Sequence, residues 1–382
     1  MNFTRLEKYL DRMVNEYGVP GVDCSVFREH EELFRYCTGY ADKEEKRLLK
    51  TDDLYIIFSM SKMLTVTAAL QLLEKGRYAM HDPLSRYLPE FEKMKLEVLP
   101  PYNDEYNVEC GKSGYAKAPI LIRHLFTMSS GMSYNLGDPA ILNALRDGKK
   151  TTRELVSAMA DMPLGFEPGT RFRYSLSHDV LGALIEVWSG QSFGEYMKKN
   201  IFEPLGMKET FFGLPKNEEQ RSRLTSRYLR SPEGKVEKQP LECRFMLTEE
   251  YECGGAGIVS RVDDYKIFLD ALANGGVAAN GYRLLSPSTV ELMGMNHSSE
   301  RQVMDLNRAG YGYGLGVRSH IDKIKSGSIS PIGEFGWDGA AGGFSLVDTK
   351  NKLSMTYFQE MHGWELRWQY EMRNVLYSCL EL

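Results

Sequence analysis

Ser59-Met60-Ser61-Lys62 is the one S-x-x-K in the chain. It follows the strand-like run Tyr55-Ile56-Ile57-Phe58 and opens a helical segment. Residues i and i+3 share a helix face, so the Ser59 hydroxyl and the Lys62 amine can meet. A helix N-terminus adds free N–H groups and positive potential, which favour developing negative charge. Apolar neighbours partly desolvate Lys62 and lower its affinity for a proton, so it can help activate the serine as a nucleophile. The plain alternative is an N-cap serine beside a solvated lysine. A second segment, Glu167-Pro168-Gly169-Thr170-Arg171-Phe172-Arg173-Tyr174-Ser175, places a tyrosine just before a helix. A phenol near an ammonium ionises more easily and can serve as general base or acid. The alternative for Tyr174 is an aromatic core residue. The third segment is Phe335-Gly336-Trp337-Asp338-Gly339-Ala340-Ala341-Gly342-Gly343-Phe344. Its small residues let a substrate approach the backbone. The N–H groups of Ser59 and Ala340 could form an oxyanion hole. The alternative is a glycine-rich hairpin or bulge.

Other matches lack the context their chemistry needs. Gly190-Gln191-Ser192-Phe193-Gly194 fits the G-x-S-x-G elbow, which needs a strand before the serine. The preceding Leu181–Trp188 is helical in period, so Gly190 reads as a helix stop and Ser192 as the cap of the next helix. Gly111-Lys112-Ser113 resembles the end of a P-loop, but Tyr106 stands where its first glycine belongs. His124 has no second ligand at metal-binding spacing and reads as a packing or hydrogen-bonding residue.

These segments need elements to hold them. Residues 3–17 carry Leu6, Leu10, Met13 and Val14 at helical spacing. Val22–Phe27 and Leu33–Thr38 read as two strands, joined through Arg28–Glu32. A helix apolar nearly all round runs from about Ser59 to Lys75, and Gly76 closes it. Residues 80–250 look helical and loop-rich, punctuated at Asp82-Pro83, Leu99-Pro100-Pro101 and Glu167-Pro168-Gly169, with a helix near 178–189. A helix at 262–273 follows. Tyr311–Val317 reads as one strand, Gly343–Val347 and Leu353–Phe358 as two more, and 363–380 as a last helix. Strands at both ends around a helical middle predict an α/β (α+β) fold: an antiparallel sheet flanked by helices, with an all-helical domain inserted. The expected division is 1–60 with 254–382 as the sheet domain and 61–253 as the helical one, the active site lying between them.

The 382 residues are 42% hydrophobic, which allows a sizeable core. A net charge of −5 disfavours nucleic-acid and anionic-membrane partners. No run approaches the roughly 18 apolar residues of a membrane span. The N-terminus has no signal-peptide core, so a cytoplasmic location is expected. The cysteines Cys24, Cys37, Cys110, Cys243, Cys253 and Cys379 form no C-x-x-C, and reduced structural thiols are expected. No metal or cofactor is called for, and the oligomeric state is left open.

Together the three segments resemble the serine β-lactamase and penicillin-binding protein family, in particular its class C-like branch with esterases and D-aminopeptidases. Supporting stretches are Phe58–Lys62, Ile122–Gly131, Pro168–Ser175, Pro204-Leu205-Gly206-Met207 and Gly254-Gly255-Ala256-Gly257. The resemblance implies a β-lactamase/transpeptidase-like fold and Ser59 as acylated nucleophile. Lys62 would take its proton or tune Tyr174, and Tyr174 would be general base and then proton donor. Backbone N–H groups of Ser59 and Ala340 would form the oxyanion hole. The family's Y-x-N is here Tyr174-Ser175-Leu176, and its K-T-G is Trp337-Asp338-Gly339. Leu176, Trp337, Asp338 and Gly339 would therefore line a substrate pocket without the amide and ammonium that suit β-lactams and peptides. Asp338 would repel an anion if it pointed inward. The expected activity is a carboxylesterase acting on small apolar esters. A β-lactamase or D-amino-acid amidase, and a non-catalytic ligand-binding member, are the alternatives.

Overall fold

Helix α1 (Thr4–Asn15) turns Leu6, Tyr9, Leu10 and Met13 inward at helical spacing. It packs, with the C-terminal helix α5 (Leu366–Ser378), on one face of the main sheet. The computed structural model describes residues 1–97 and 114–381. Leu99-Pro100-Pro101, Cys110 and Gly111-Lys112-Ser113 lie outside them.

The sheet has eight strands: β1 (Gly21–Arg28), β2 (Glu31–Asp42), β3 (Arg47–Leu48), β4 (Tyr311–Tyr313), β5 (Arg318–His320), β6 (Phe335–Gly336), β7 (Phe344–Asp348) and β8 (Leu353–Phe358). Their order is β3-β2-β1-β8-β7-β6-β5-β4, and every neighbouring pair is antiparallel. At the centre β1 pairs with β8, Asp23 opposite Phe358 and Arg28 opposite Leu353, so the two ends of the chain meet there. Side chains alternate across the sheet. Val22, Cys24, Val26, Leu353, Met355 and Tyr357 face α1 and α5. Phe358 and Val347 join the other core with helix α4 (Val262–Ala273). That core continues into the helical region through α2 (Ser61–Glu74) and α3 (Ser177–Ser189). Every residue of α2 from Ser61 to Leu72 is buried, as an all-round apolar helix requires.

Most expected elements are present within a few residues. Gly190, left-handed at φ 71°, ends α3, and Ser192 Oγ accepts from the Glu195 N–H, so this segment is a pair of helix caps. The run Tyr311–Val317 is not one strand. It is β4 and a tight turn, in which the Gly314 N–H donates to Val317 O and Gly316 takes φ 73°, before β5 returns. Alternating glycines made the segment look like an extended strand, but they permit this reversal. The middle of the chain is also less purely helical than expected. Arg227–Arg230, Val236–Gln239 and Met361–His362 form a three-stranded sheet, and Phe211–Phe212 and Tyr55–Ile56 flank Ile258–Ser260 in another. Among the described residues no helix is long and apolar enough to cross a membrane.

Candidate active site

The strand Tyr55–Ile56 passes into a single 3-10 turn, Phe58–Met60, which runs directly into α2. Phe58 sits at φ 45°, a left-handed conformation that costs a β-carbon residue ~1–3 kcal/mol. Its ring packs edge-on against Phe245 and His362. The strain turns the chain so that Ser59 stands half-buried at the helix start, where backbone N–H groups lack intrahelical acceptors.

Lys62 is fully buried. Its Nζ donates to Ser59 Oγ at 3.3 Å, to the Tyr134 hydroxyl at 3.3 Å and to the Gly255 carbonyl at 2.6 Å. An ammonium has three protons, and these acceptors match them. Among the described residues Lys62 forms no ion pair with a carboxylate. The Thr65 hydroxyl, one turn on, donates to Gly254 O at 2.7 Å, so α2 grips the Gly254-Gly255 turn twice. Gly255 allows no side chain. A Cβ there would lie 2.7 Å from Asp179 Oδ2, 3.1 Å from the Tyr134 oxygen and 3.3 Å from Lys62 Nζ. Asp179 is buried, and its Oδ1 accepts from the Tyr251 hydroxyl at 2.8 Å.

Tyr174 presents its ring face to Lys62, with Nζ 4.5 Å from the ring centroid. It stacks on Tyr134 at 5.5 Å and 8°, and on Trp337 at 5.5 Å and 30°. Trp337 Nε1 donates to the Tyr174 oxygen at 3.0 Å, which leaves the hydroxyl proton free to point elsewhere. The tyrosine is positioned through the segment that leads to it. Gly169, at φ 86°, donates its N–H to Ser129 O; Arg171 forms a two-pronged pair with Asp305; the Arg173 N–H donates to Met128 O. Burial among these rings pushes the Tyr134 hydroxyl well above the usual phenol range, so it stays protonated.

The glycine-rich segment folds as a turn against the serine. The Gly339 N–H donates to Gly343 O at 2.8 Å. A Cβ on Gly339 would lie 2.9 Å from Ile57 O, and one on Gly343 2.8 Å from Met60 Sδ. The missing side chains therefore let the turn close on the residues around Ser59. Ala340 is exposed at its tip, and its carbonyl accepts from Trp364 Nε1 at 3.0 Å.

Ser59, Lys62, Tyr174 and Trp337 are thus brought together, with Ala340 alongside. Two other expected contacts are corrected. Leu176 does not reach a substrate: it is 0% exposed, in the core beneath the start of α3. Asp338 turns away from the serine into a buried charge cluster. Its carboxylate pairs with Arg308 and Arg318, and Arg318 also faces Glu334, which pairs with Arg373. Burial pushes the Asp338 carboxyl up, but Arg318 and Arg308 outweigh it and hold it below its ordinary value. Asp338 therefore cannot repel a substrate anion. Gly339 acts through its lack of a side chain. Tyr134 and Asp179 are not among the residues expected from the sequence, and Gly255 is expected only as part of the Gly254–Gly257 stretch, without a role at the lysine. Tyr134 lies only three residues beyond the quoted Ile122–Gly131 stretch, which was the available signal. His124, expected to bond and pack, accepts the Leu121 N–H at Nδ1, and burial lowers it to about 4.

A buried lysine held on a serine at the start of a buried helix, with a tyrosine over the same ammonium, is the arrangement of an activated hydroxyl nucleophile. Residues 6–370 match the family described as Beta-lactamase. The chain belongs to that family. It has the β-lactamase/transpeptidase-like fold. It is 27% identical to Esterase EstB of Burkholderia gladioli over 389 residues, covering 94% of this chain and 92% of that protein. It is 31% identical to Lovastatin esterase of Penicillium rubens over 259 residues, covering 66% of this chain and 62% of the relative. Among solved structures, EstCE1, a hydrolase with promiscuous acyltransferase activity, superposes with a TM-score of 0.79 at 24% identity, covering 98% of each chain.

Proposed function

We propose that this β-lactamase-family protein is an esterase-type serine hydrolase working through an acyl-enzyme on Ser59. The observation that carries this reading is Lys62: fully buried, without an ion-paired carboxylate among the described residues, and hydrogen-bonded to the Ser59 hydroxyl. In the first step the Ser59 oxygen bonds to the acyl carbon while its proton passes to whichever of Lys62 and Tyr174 has given up its own, as the neutral amine or the phenolate. The carbonyl oxygen gains negative charge facing the Ser59 and Ala340 N–H groups, which stabilise it most when water is excluded. The bond to the leaving alcohol breaks, and its oxygen takes a proton from the Tyr174 side. Water then attacks the acyl-enzyme with the same groups as base and acid, releasing the acid and restoring Ser59.

An ester suits this site better than a β-lactam or peptide. Trp337 stands where the family's peptidases offer an ammonium, and it supplies a flat apolar face and one N–H already given to Tyr174. The position of the amide-binding asparagine holds the core residue Leu176. Tyr134, Tyr174 and Trp337 form one continuous aromatic stack, a surface for a small apolar alcohol. The Esterase EstB and Lovastatin esterase relatives support the same class of substrate. Two lobes, 1–60 with 254–382 and 61–253, would enclose the site: all strands of the main sheet come from 21–48 and 311–358. A cytoplasmic setting accords with the free cysteines Cys24, Cys37, Cys243, Cys253 and Cys379.

The test pairs the protein with its Ser59→Ala variant on short-chain nitrophenyl esters and a chromogenic cephalosporin. Ester hydrolysis should fall by about three orders of magnitude or more in the variant. An acyl adduct should appear on Ser59 by mass spectrometry. Hydrolysis that survives in Ser59→Ala rejects the nucleophile. Cephalosporin turnover far above ester turnover rejects the esterase assignment in favour of a β-lactamase.

A further inference from the structure

On the Ala340 side of the serine, a cavity of about 470 Å³ is lined by Phe58, Phe245, His362, Ala340, Arg227 and Arg244, among others. Ser59, Lys62, Tyr134 and Tyr174 do not line it; Phe58, which precedes the serine, and Ala340 do. That location identifies which half of an ester it receives. The leaving oxygen must collect its proton beside Lys62 and Tyr174, so the alcohol lies there. The acyl carbonyl points at the Ser59 and Ala340 N–H groups, and the acyl chain continues past Ala340 into the cavity.

The cavity's charge is unusual for an acyl pocket. Arg227 is only 9% exposed, and its Nη2 donates to the carbonyl oxygens of Pro240 and Glu242, which leaves its charge unneutralised. Arg244 is exposed and lies over the Phe245 ring at 4.9 Å. Among the described residues neither arginine forms an ion pair. Glu360 lies near Arg227 on the buried side, where burial raises its carboxyl above the ordinary value and Arg227 partly counters that, but it forms no ion pair with Arg227 and does not line the cavity. Glu242 is the one carboxylate in the lining, against two guanidinium groups. His362 is held down to about 4 by burial and then by Arg227 and Arg244, so it is neutral at pH 7 and senses both cations.

We infer that the acyl half of the substrate ends in a carboxylate: the substrate is a half-ester of a short dicarboxylic acid. Its methylene spacer lies on Phe58 and Phe245, and its free carboxylate sits between Arg227 and Arg244. Hydrolysis then consumes one water and releases the dicarboxylic acid and the alcohol, with no other reactant. The inference rests on the esterase reading above and adds to it the charge of the acyl group.

Two measurements test it. The first compares kcat/KM for the nitrophenyl half-ester of glutaric acid with that for nitrophenyl pentanoate. The half-ester should be preferred by about tenfold or more, as expected for one charge-assisted contact. Arg244→Gln should bring the ratio towards one through KM, and Arg244→Lys should restore most of it. The second measures binding of monomethyl glutarate and of methyl pentanoate to Ser59→Ala by calorimetry, with and without Arg244→Gln. Both esters hydrolysed without preference, or a preference that Arg244→Gln leaves unmoved, overturns the carboxylate subsite and leaves the esterase reading standing. Arg244-dependent binding of monomethyl glutarate with no turnover of either nitrophenyl ester overturns the esterase reading and keeps the subsite. Neither turnover nor binding overturns both.

Discussion

Two buried charge clusters flank Trp337, and they are built in opposite ways. On one side Lys62 is enclosed with no ion pair, its ammonium shared among a hydroxyl, a phenol and a carbonyl. On the other, Arg308, Arg318 and Arg373 are matched by Asp338 and Glu334 in direct contact. A buried charge costs several kcal/mol unless it is paired. The second cluster meets that cost internally and holds β5, β6 and α5 in register. The first leaves it standing, with only neutral acceptors around the ammonium among the described residues. Under the proposed mechanism, the contrast separates a charge kept for reaction from charges kept for structure. Trp337 connects them, following the braced strand β6 with its indole N–H on Tyr174.

The largest effect that could break this contrast is at Lys62. Lys62→Met should lower kcat for ester hydrolysis by about three orders of magnitude, because the serine loses the amine that takes its proton or readies Tyr174 to take it. The urea midpoint should stay level or rise, since an unpaired buried charge is removed. A strongly destabilised Lys62→Met protein with residual activity would place Lys62 among the structural charges. Arg318→Met should do the reverse. It takes the shared arginine from Asp338 and Glu334, which keep Arg308 and Arg373, and strips the Ser345 carbonyl of its donor, and should cost about 1–3 kcal/mol in urea unfolding. The fraction still folded should retain acylation of Ser59. Trp337→Phe sharpens the boundary between the clusters. It keeps a ring against Tyr174 but removes the donated N–H, and kcat should drop about tenfold for one lost hydrogen bond of roughly 1–1.5 kcal/mol. Unchanged kcat would reduce Trp337 to a packing surface.

The smallest effect concerns acid. Asp338 is held below its unfolded value, so its ionised form is favoured by the fold. Its contribution is complete above the unfolded carboxylate value of about 3.9 and is lost as pH falls through the lower folded value. Urea unfolding followed from about pH 5 to about pH 3 should show a shallower loss of stability in Asp338→Asn than in the parent. Equal slopes would mean that other carboxylates carry the acid sensitivity.

Much of this was legible locally. Helices α1, α2, α3 and α4 follow from apolar spacing and from glycine stops at Gly76 and Gly190. Ser59 and Lys62 meet because they lie three positions apart on one helical turn. Tyr174 was picked out by a turn, an extended run and a helix start in order. The turn at Gly314–Gly316 was not legible, because the alternation that permits a reversal also permits a strand. Tyr134 was legible only through its nearness to the Ile122–Gly131 stretch, since its own residue type does not distinguish a tyrosine over a lysine from one in a core.

By itself the sequence determined what depends on neighbours along the chain: the α/β (α+β) class, the buried helix and the hydroxyl-amine pair at its start. Only the tertiary structure decided where the remaining charges and rings point. Asp338 is drawn away from the serine by Arg318, on a neighbouring part of the sheet. Lys62 is held by a glycine carbonyl 193 residues on, and Leu176 is taken into the core. A side chain's direction follows the partner that best satisfies its charge or its apolar surface. When that partner arrives from a distant segment, spacing along the chain holds no record of it.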